Sequence, residues 1–362
     1  MPEWELEEGE NMAKQESVAA RAIRQLPRLD GVLDRLTPES FARRPKPVED
    51  SDSLESLSAT PPARGPGVDA GDVAKNARRA VEKVRSSGAE AILTPPEEDA
   101  LEAIVLLEGR PALLVKAGKF DAPPPKWSVL EQFRSQIEPM LSSIGRVEVT
   151  GHPSLDWVGT GFLVAPDVVM TNRHVAKEFC RNAGATWKFE SGMKARIDYS
   201  EEFGSNSPAE FSLTDVIGVH DVHDLSLFRV SRKGKKGVKP PKPLPIARKP
   251  TLTTGRQVFV VGFPAWDGHR NEPEPMREIF KDIFNVKRLQ PGEMRRVSQA
   301  QSLFEHDCST LGGNSGSCVI DLETQRVAGL HFSGRYLQAN FAVLLAKLEK
   351  DKLIKKAGIE LV

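Results

Sequence analysis

Cysteine is nearly missing from this sequence. Three residues, Cys180, Cys308 and Cys318, are too few for the disulfide framework of a small secreted fold, and no C-x-x-C pair starts a metal site. An excess of one charge is missing too. Lys plus Arg and Asp plus Glu both number 50, so the charge balance points to neither a nucleic-acid nor a membrane partner. Apolar runs such as AIVLL and VFVVGF fall well short of the about 20 residues a membrane-spanning helix needs. The opening MPEWELEEGE is acidic and lacks the basic start and apolar core of a secretory signal, so the expectation is a cytoplasmic product.

What is present is an ordinary globular composition, 39% hydrophobic and 28% charged, in a chain of 362 residues, long enough for two domains. Residues 1–69 read as a flexible lead. A helical pattern near 12–36 gives way to SDSLESLSATPPARGPG, which is too poor in apolar residues to fold alone. Residues 70–125 read as a small α or α/β module, regulatory or recruiting. Its first helix carries Val73, Ala77, Ala80, Val81 and Val84 on one face and stops at Gly88; EDALEAIVLLEG suits a second helix and ALLVKAGKF a strand. The prolines at 123–125 mark a boundary, and a short helix over 128–143 leads onward.

From about 144 the texture is β. Short runs (VEVTG, GTGFLVAP, DVVMTN, LSLFRV, QVFVVGFP, SCVIDL, RVAGLHFSG) alternate with Gly, Pro, Asp and Asn, which predicts a barrel or sandwich. FAVLLAKLEKDKLIKKAG predicts an amphipathic helix ending at Gly358. The basic stretch 232–250 predicts a solvated connection between two barrels. The polar segment 265–300 is too long for a hairpin turn and predicts a crossing near the site.

Three local settings carry chemistry. In TNRHV (171–175), an apolar strand ends and His174 follows at a helix start. In HDLSLFRV (223–230), Asp224 opens a strand, better placed than Asp215 or Asp221 to orient a histidine. In GGNSGS (312–317), glycines around Ser315 let the Gly313 and Ser315 amides converge on one oxyanion. Serine-based peptide hydrolysis needs a base, a carboxylate to hold it and such donors, and here they follow in the order His, Asp, Ser.

TNRHV, DLSLF and GGNSGS together resemble the signature motifs of the chymotrypsin-like serine peptidases, nearest to the bacterial, disulfide-poor branch that includes the glutamyl endopeptidases. The resemblance covers roughly 145–350. It implies an all-β double antiparallel barrel domain over 126–362, with barrels near 145–235 and 240–340. A C-terminal helix would pack on the second barrel, and a mainly helical region would precede the domain. It also implies a serine endopeptidase with Ser315 as nucleophile, His174 as base then acid, and Asp224 orienting His174. The oxyanion hole would be Gly313, Asn314 and Ser315; no metal or cofactor is needed. Partners would be a protein or peptide substrate and, through the N-terminal region, a regulatory protein. The rival reading is a latent or inactive protease-fold scaffold that binds peptides.

The resemblance extends to specificity. Six residues before the nucleophile stands Ser309, where trypsin-like cleavage after Lys or Arg would want an Asp. Thr310 and GLHFSG (329–334) resemble the S1 pockets that recognise Glu or Gln, so Ser309, Thr310, His331 and Ser333 are the expected S1 residues. Asn314 replaces the Asp that captures a freed N-terminus in trypsinogen-type zymogens, so activation by that route is not expected.

Overall fold

The computed structural model describes residues 70–94, 96–97, 109–184, 186–266, 273–335 and 339–362. The chain divides into two compact units, one containing Gly65–Gly109 and the other Arg110–Val362. In the first, helix α1 (Ala70–Ser87) buries Ala77, Ala80, Val81 and Val84, four of the five positions that the helical spacing selected. It stops where Gly88 takes φ 60°, a conformation that costs glycine little. The helices expected near 12–36 and over EDALEAIVLLEG lie outside the described residues, apart from Gly109 at the end of the latter.

The second unit opens with β1 (Leu113–Lys116) and β2 (Lys119–Phe120), a hairpin whose β1 pairs with a strand of the second barrel. Residues 110–120, grouped on sequence with the preceding module, therefore supply sheet to this unit. A 3₁₀ turn (Pro125–Phe133) and helix α2 (Arg134–Leu141) follow, burying Trp127, Leu130, Ile137 and Leu141.

The first barrel contains β3 (Ile144–Thr150), β4 (Trp157–Ala165) and β5 (Val168–Thr171). Helix α3 (Arg173–Lys177) and the hairpin β6 (Cys180–Asn182)–β7 (Trp187–Phe189) come next. β8 (Lys194–Asp198), β9 (Glu210–Val219) and β10 (Ser226–Val230) complete it. The six strands close in the order β10-β5-β4-β3-β8-β9 around Val147, Leu163, Val169, Phe179, Ile197 and Phe228.

The connection over 232–250 is better fastened than its basic composition suggests. The Leu244 amide donates to the Leu163 carbonyl, and Leu244, Ile246 and Ala247 are buried.

The second barrel is β11 (Gln257–Gly262), β12 (Arg288–Ser298), β13 (Leu303–His306), β14 (Cys318–Asp321), β15 (Val327–Arg335) and β16 (Ala339–Leu344). Its order is β11-β14-β15-β16-β13-β12, and the β11–β12 pairing closes the ring. Helix α4 (Pro273–Phe280) lies within the long 265–300 segment, between β11 and β12.

The C terminus departs from expectation in how much of it is helical. FAVLL is β16, paired with both β13 and β15, because alternation of residues between two sheet faces outweighs its helical spacing. Leu345–Leu348 forms a 3₁₀ turn and α5 (Lys352–Ala357) is the α-helix; Asp351 caps its start and Gly358 (φ 70°) ends it. It reaches β9 of the first barrel, where Lys356 Nζ donates to the Ile217 carbonyl at 2.6 Å, and its buried Ile354 and Ala357 join the core cluster that holds Val327 and Leu330 of the second barrel.

Candidate active site

The first barrel brings a histidine and a carboxylate together through strand register. β10 runs antiparallel to β5 with Ser226 opposite Thr171, so the residues just before β10 lie beside those just after β5. Asp224, two residues ahead of β10, therefore meets His174 in the first turn of α3. Its Oδ1 accepts the His174 amide at 2.9 Å and its Oδ2 lies 2.6 Å from His174 Nδ1. Two further bonds hold the corner. Asn172 Nδ2 donates to the Asp224 carbonyl at 2.9 Å, and the buried Ser226 hydroxyl donates to the Asn172 carbonyl at 2.8 Å. Burial acts to raise the Asp224 carboxyl, but hydrogen bonds and charge from His174 outweigh it, so Asp224 sits below its ordinary value and stays ionised. A carboxylate fixed on Nδ1 leaves Nε2 as the basic nitrogen of a neutral ring.

Ser315 lies on the turn between β13 and β14. Asn314 donates its amide to the Leu311 carbonyl at 3.1 Å, and Ser317 donates to the Asn314 carbonyl at 2.9 Å. The Gly313 and Ser315 amides find no acceptor among the described residues. Of the three residues expected at the oxyanion hole, Gly313 and Ser315 thus keep free donors, whereas the Asn314 amide is spent inside the turn.

Gly313 (φ 84°) and Gly316 (φ 87°) take left-handed conformations. A Cβ on Gly316 would collide with the Thr160 carbonyl oxygen and the Thr171 hydroxyl; one on Gly313 would lie 2.5 Å from the Trp157 ring. The side chain of Asn314 is fully buried and neutral, with Oδ1 accepting from Gln290 Nε2 at 2.9 Å and Nδ2 donating to the Leu311 carbonyl.

Thr160 of β4, which the sequence reading passed over, stitches the barrels together at this turn. Its amide donates to the Ser315 carbonyl at 2.8 Å and its hydroxyl to the Gly313 carbonyl at 2.8 Å, while Thr171 Oγ1 donates to the Thr160 carbonyl at 2.7 Å. The end of β5, which leads into His174, and the turn that carries Ser315 therefore both hydrogen-bond to Thr160. Gly159 lets them close up: a Cβ there would sit 2.8 Å from Val175 and 2.9 Å from the Ser315 carbonyl oxygen. The flanking glycines of GTGFL were the available signal, since a glycine inside a strand often marks close backbone approach.

Beside the turn, β15 carries His331, whose carbonyl accepts the Gly316 amide at 3.0 Å. His331 is 3% exposed, and its Nδ1 lies 3.2 Å from Nε2 of the fully buried His306, another residue the sequence reading missed. Burial, and then the charges of His306 and His174, push His331 well below the ordinary imidazole range; burial brings His306 to about 4. Both rings are neutral. His306 Nδ1 has no partner among the described residues, and an orphaned lone pair costs less than an orphaned N–H. The proton of His306 therefore sits on Nε2 and is donated to His331 Nδ1. That leaves Nε2–H of His331 as a donor with no acceptor among the described residues.

Thr310 donates its hydroxyl to Asn340 Oδ1 at 2.7 Å, beside Gly334. Ser309 turns away, donating to the Arg110 carbonyl at 2.6 Å, and Ser333 is exposed on β15. In the long segment ahead of β12, the Ala265 amide donates to the Gly312 carbonyl at 2.6 Å, which ties its start to the nucleophile turn.

Glu148, Asp198 and Glu201 are an acidic group with metal-ligand spacing, but Arg146 and Arg196 each reach Glu148 at 2.6 Å, so ion pairs account for the cluster. Among the described residues, no helix is long and apolar enough to cross a membrane.

Residues 159–330, which include His174, Asp224 and Ser315, match the family model of the trypsin-like peptidase domain. The chain carries a trypsin-like peptidase domain. It is a serine endopeptidase with the double-barrel fold of that family. No curated protein sequence matches it. Among solved structures it is similar to the active form of the Rv3671c protease from M. tuberculosis (19% identity, 67% of this chain and 91% of that one, TM-score 0.43). It is also similar to a serine endoprotease from Yersinia pestis (15%, 62% and 66%, 0.41) and to Deg5 (16%, 64% and 95%, 0.42).

Proposed function

We propose that this trypsin-like domain cleaves peptide bonds with Ser315 as nucleophile, His174 as general base then acid, and Asp224 as the carboxylate that orients His174. The observation that carries the reading is the double hydrogen bond of Asp224, to the ring and to the amide of His174. Asp224 thereby holds the tautomer in which His174 Nε2 takes the Ser315 proton. The alkoxide attacks the scissile carbonyl, and the tetrahedral oxyanion is met by the Gly313 and Ser315 amides. His174 then protonates the leaving amine, and water, activated by the same ring, hydrolyses the acyl-enzyme.

The pocket reading is a P1 preference for Glu or Gln. The Nε2–H of His331 supports it, because a neutral donor suits a side-chain carbonyl or carboxylate; the Thr310 hydroxyl, which donates to Asn340 Oδ1, would turn from it to add a second donor. Cytoplasmic action is part of the proposal, supported by three free thiols, as is a regulatory or recruiting role for the N-terminal unit.

The test is labelling with a fluorophosphonate probe, followed by peptide-library profiling. Wild type labels, while Ser315→Ala and His174→Ala do not, each losing on the order of 10⁶ in turnover. Labelling that survives Ser315→Ala would refute the nucleophile. A dominant P1 Lys, Arg or Phe would refute the pocket.

A further inference from the structure

The wall of the proposed S1 pocket includes a short irregular stretch, Asp307–Thr310, between the end of β13 and the nucleophile turn. Such a stretch has no strand ladder of its own to set its path. Its anchor comes from the far end of the unit. The Arg110 side chain, fully buried, grips Asp307 with two bonds: Nε to Oδ1 and Nη2 to Oδ2, each 2.6 Å. The Arg110 backbone carbonyl accepts the Ser309 hydroxyl at 2.6 Å, across 199 positions of sequence. The Asp307 carboxylate is further held by the Glu293 amide at 2.7 Å and by Arg295 at 3.3 Å, and the Arg110 guanidinium lies 5.2 Å from the Trp127 ring centroid.

We infer that Arg110 is a positioning residue for the S1 pocket. Its guanidinium and its carbonyl fasten two of the four residues of the wall, and the wall adjoins His306, which sets the tautomer of His331. Asp307 points into the protein toward Arg110, which fixes the path of the backbone that joins His306 to Thr310. A fork of two parallel bonds defines orientation as well as distance, which a lysine cannot do. The residue at which the chain enters the catalytic unit thus shapes substrate choice without touching substrate. This inference rests on the serine-peptidase reading above.

The test uses the full chain with Arg110→Lys and Asp307→Asn. Three quantities are read: the fluorophosphonate labelling rate, KM and kcat separately on the best P1 substrate from library profiling, and the ratio of kcat/KM for that substrate over its P1 Ala counterpart. Labelling reports the serine and histidine; the ratio reports the pocket. We expect labelling within about threefold of wild type, a raised KM, and a fall of about 10²-fold in the ratio, the scale for a misplacement near 1 Å. An unchanged KM and ratio in folded variants would overturn the inference. Parallel loss of labelling and peptidase activity, or unfolding of both variants, would assign Arg110 to stability alone and overturn it equally. Wild type that fails to label would remove the nucleophile reading, and this one with it.

Discussion

Acid should weaken this protein in a way that can be traced to one side chain. His306 is fully buried, and burial, opposed only by the nearby Asp307 carboxylate, lowers it from 6.5 to about 4. Between those values the unfolded chain binds a proton that the folded chain refuses, so stability is complete above pH 6.5 and is lost as pH falls toward 4. The loss from this group is about 2 kcal/mol at pH 5 and about 3 kcal/mol at pH 4. His331 is shifted the same way and adds to the trend. The perturbation is His306→Gln, which removes the titrating group and keeps a polar side chain. Urea unfolding of both proteins at pH 7.5 and pH 5 then yields a difference of differences. The variant is less stable at pH 7.5, because His331 loses its partner, but wild type should lose about 2 kcal/mol more than the variant on acidification. Equal losses would refute the reasoning, since they would mean that His306 is protonated in the folded state or reached by water.

Three further outcomes are expected. Asp224→Asn should keep the fold yet lower kcat by about 10⁴-fold, because an amide no longer enforces the tautomer that leaves His174 Nε2 basic; a loss under tenfold would contradict the orienting role. Gly316→Ala should destabilise by about 3 kcal/mol, as read by thermal unfolding, since its φ of 87° and the Thr160 carbonyl leave a methyl group no room. The uncleaved chain should be active on peptides, because Gln290 and Leu311 already satisfy Asn314 and leave no charge for a freed N-terminus to pair with; a requirement for cleavage upstream of Val147 would refute this.

Much of this protein was legible before folding. The three motifs single out the proposed base, carboxylate and nucleophile because each is a local device: a strand end opening a helix, a polar residue ahead of an apolar run, a glycine-rich turn. Strand texture, the stop of α1 at Gly88 and the cap at Gly358 are legible for the same reason, being set by dihedral preference and period within a few residues. What the sequence could not determine were contacts between segments far apart in the chain. FAVLL becomes a strand because β13 and β15 offer it ladders on both sides, and no local pattern announces that. Thr160 binds the turn 153 residues later, and the hydroxyl of Ser309 is claimed by a carbonyl 199 residues earlier. His306 matters only because the β13–β16–β15 order lays it against His331. Local chemistry is written in residue types and spacing; the partners that orient it are decided when barrel closure brings distant strands within a hydrogen bond of one another.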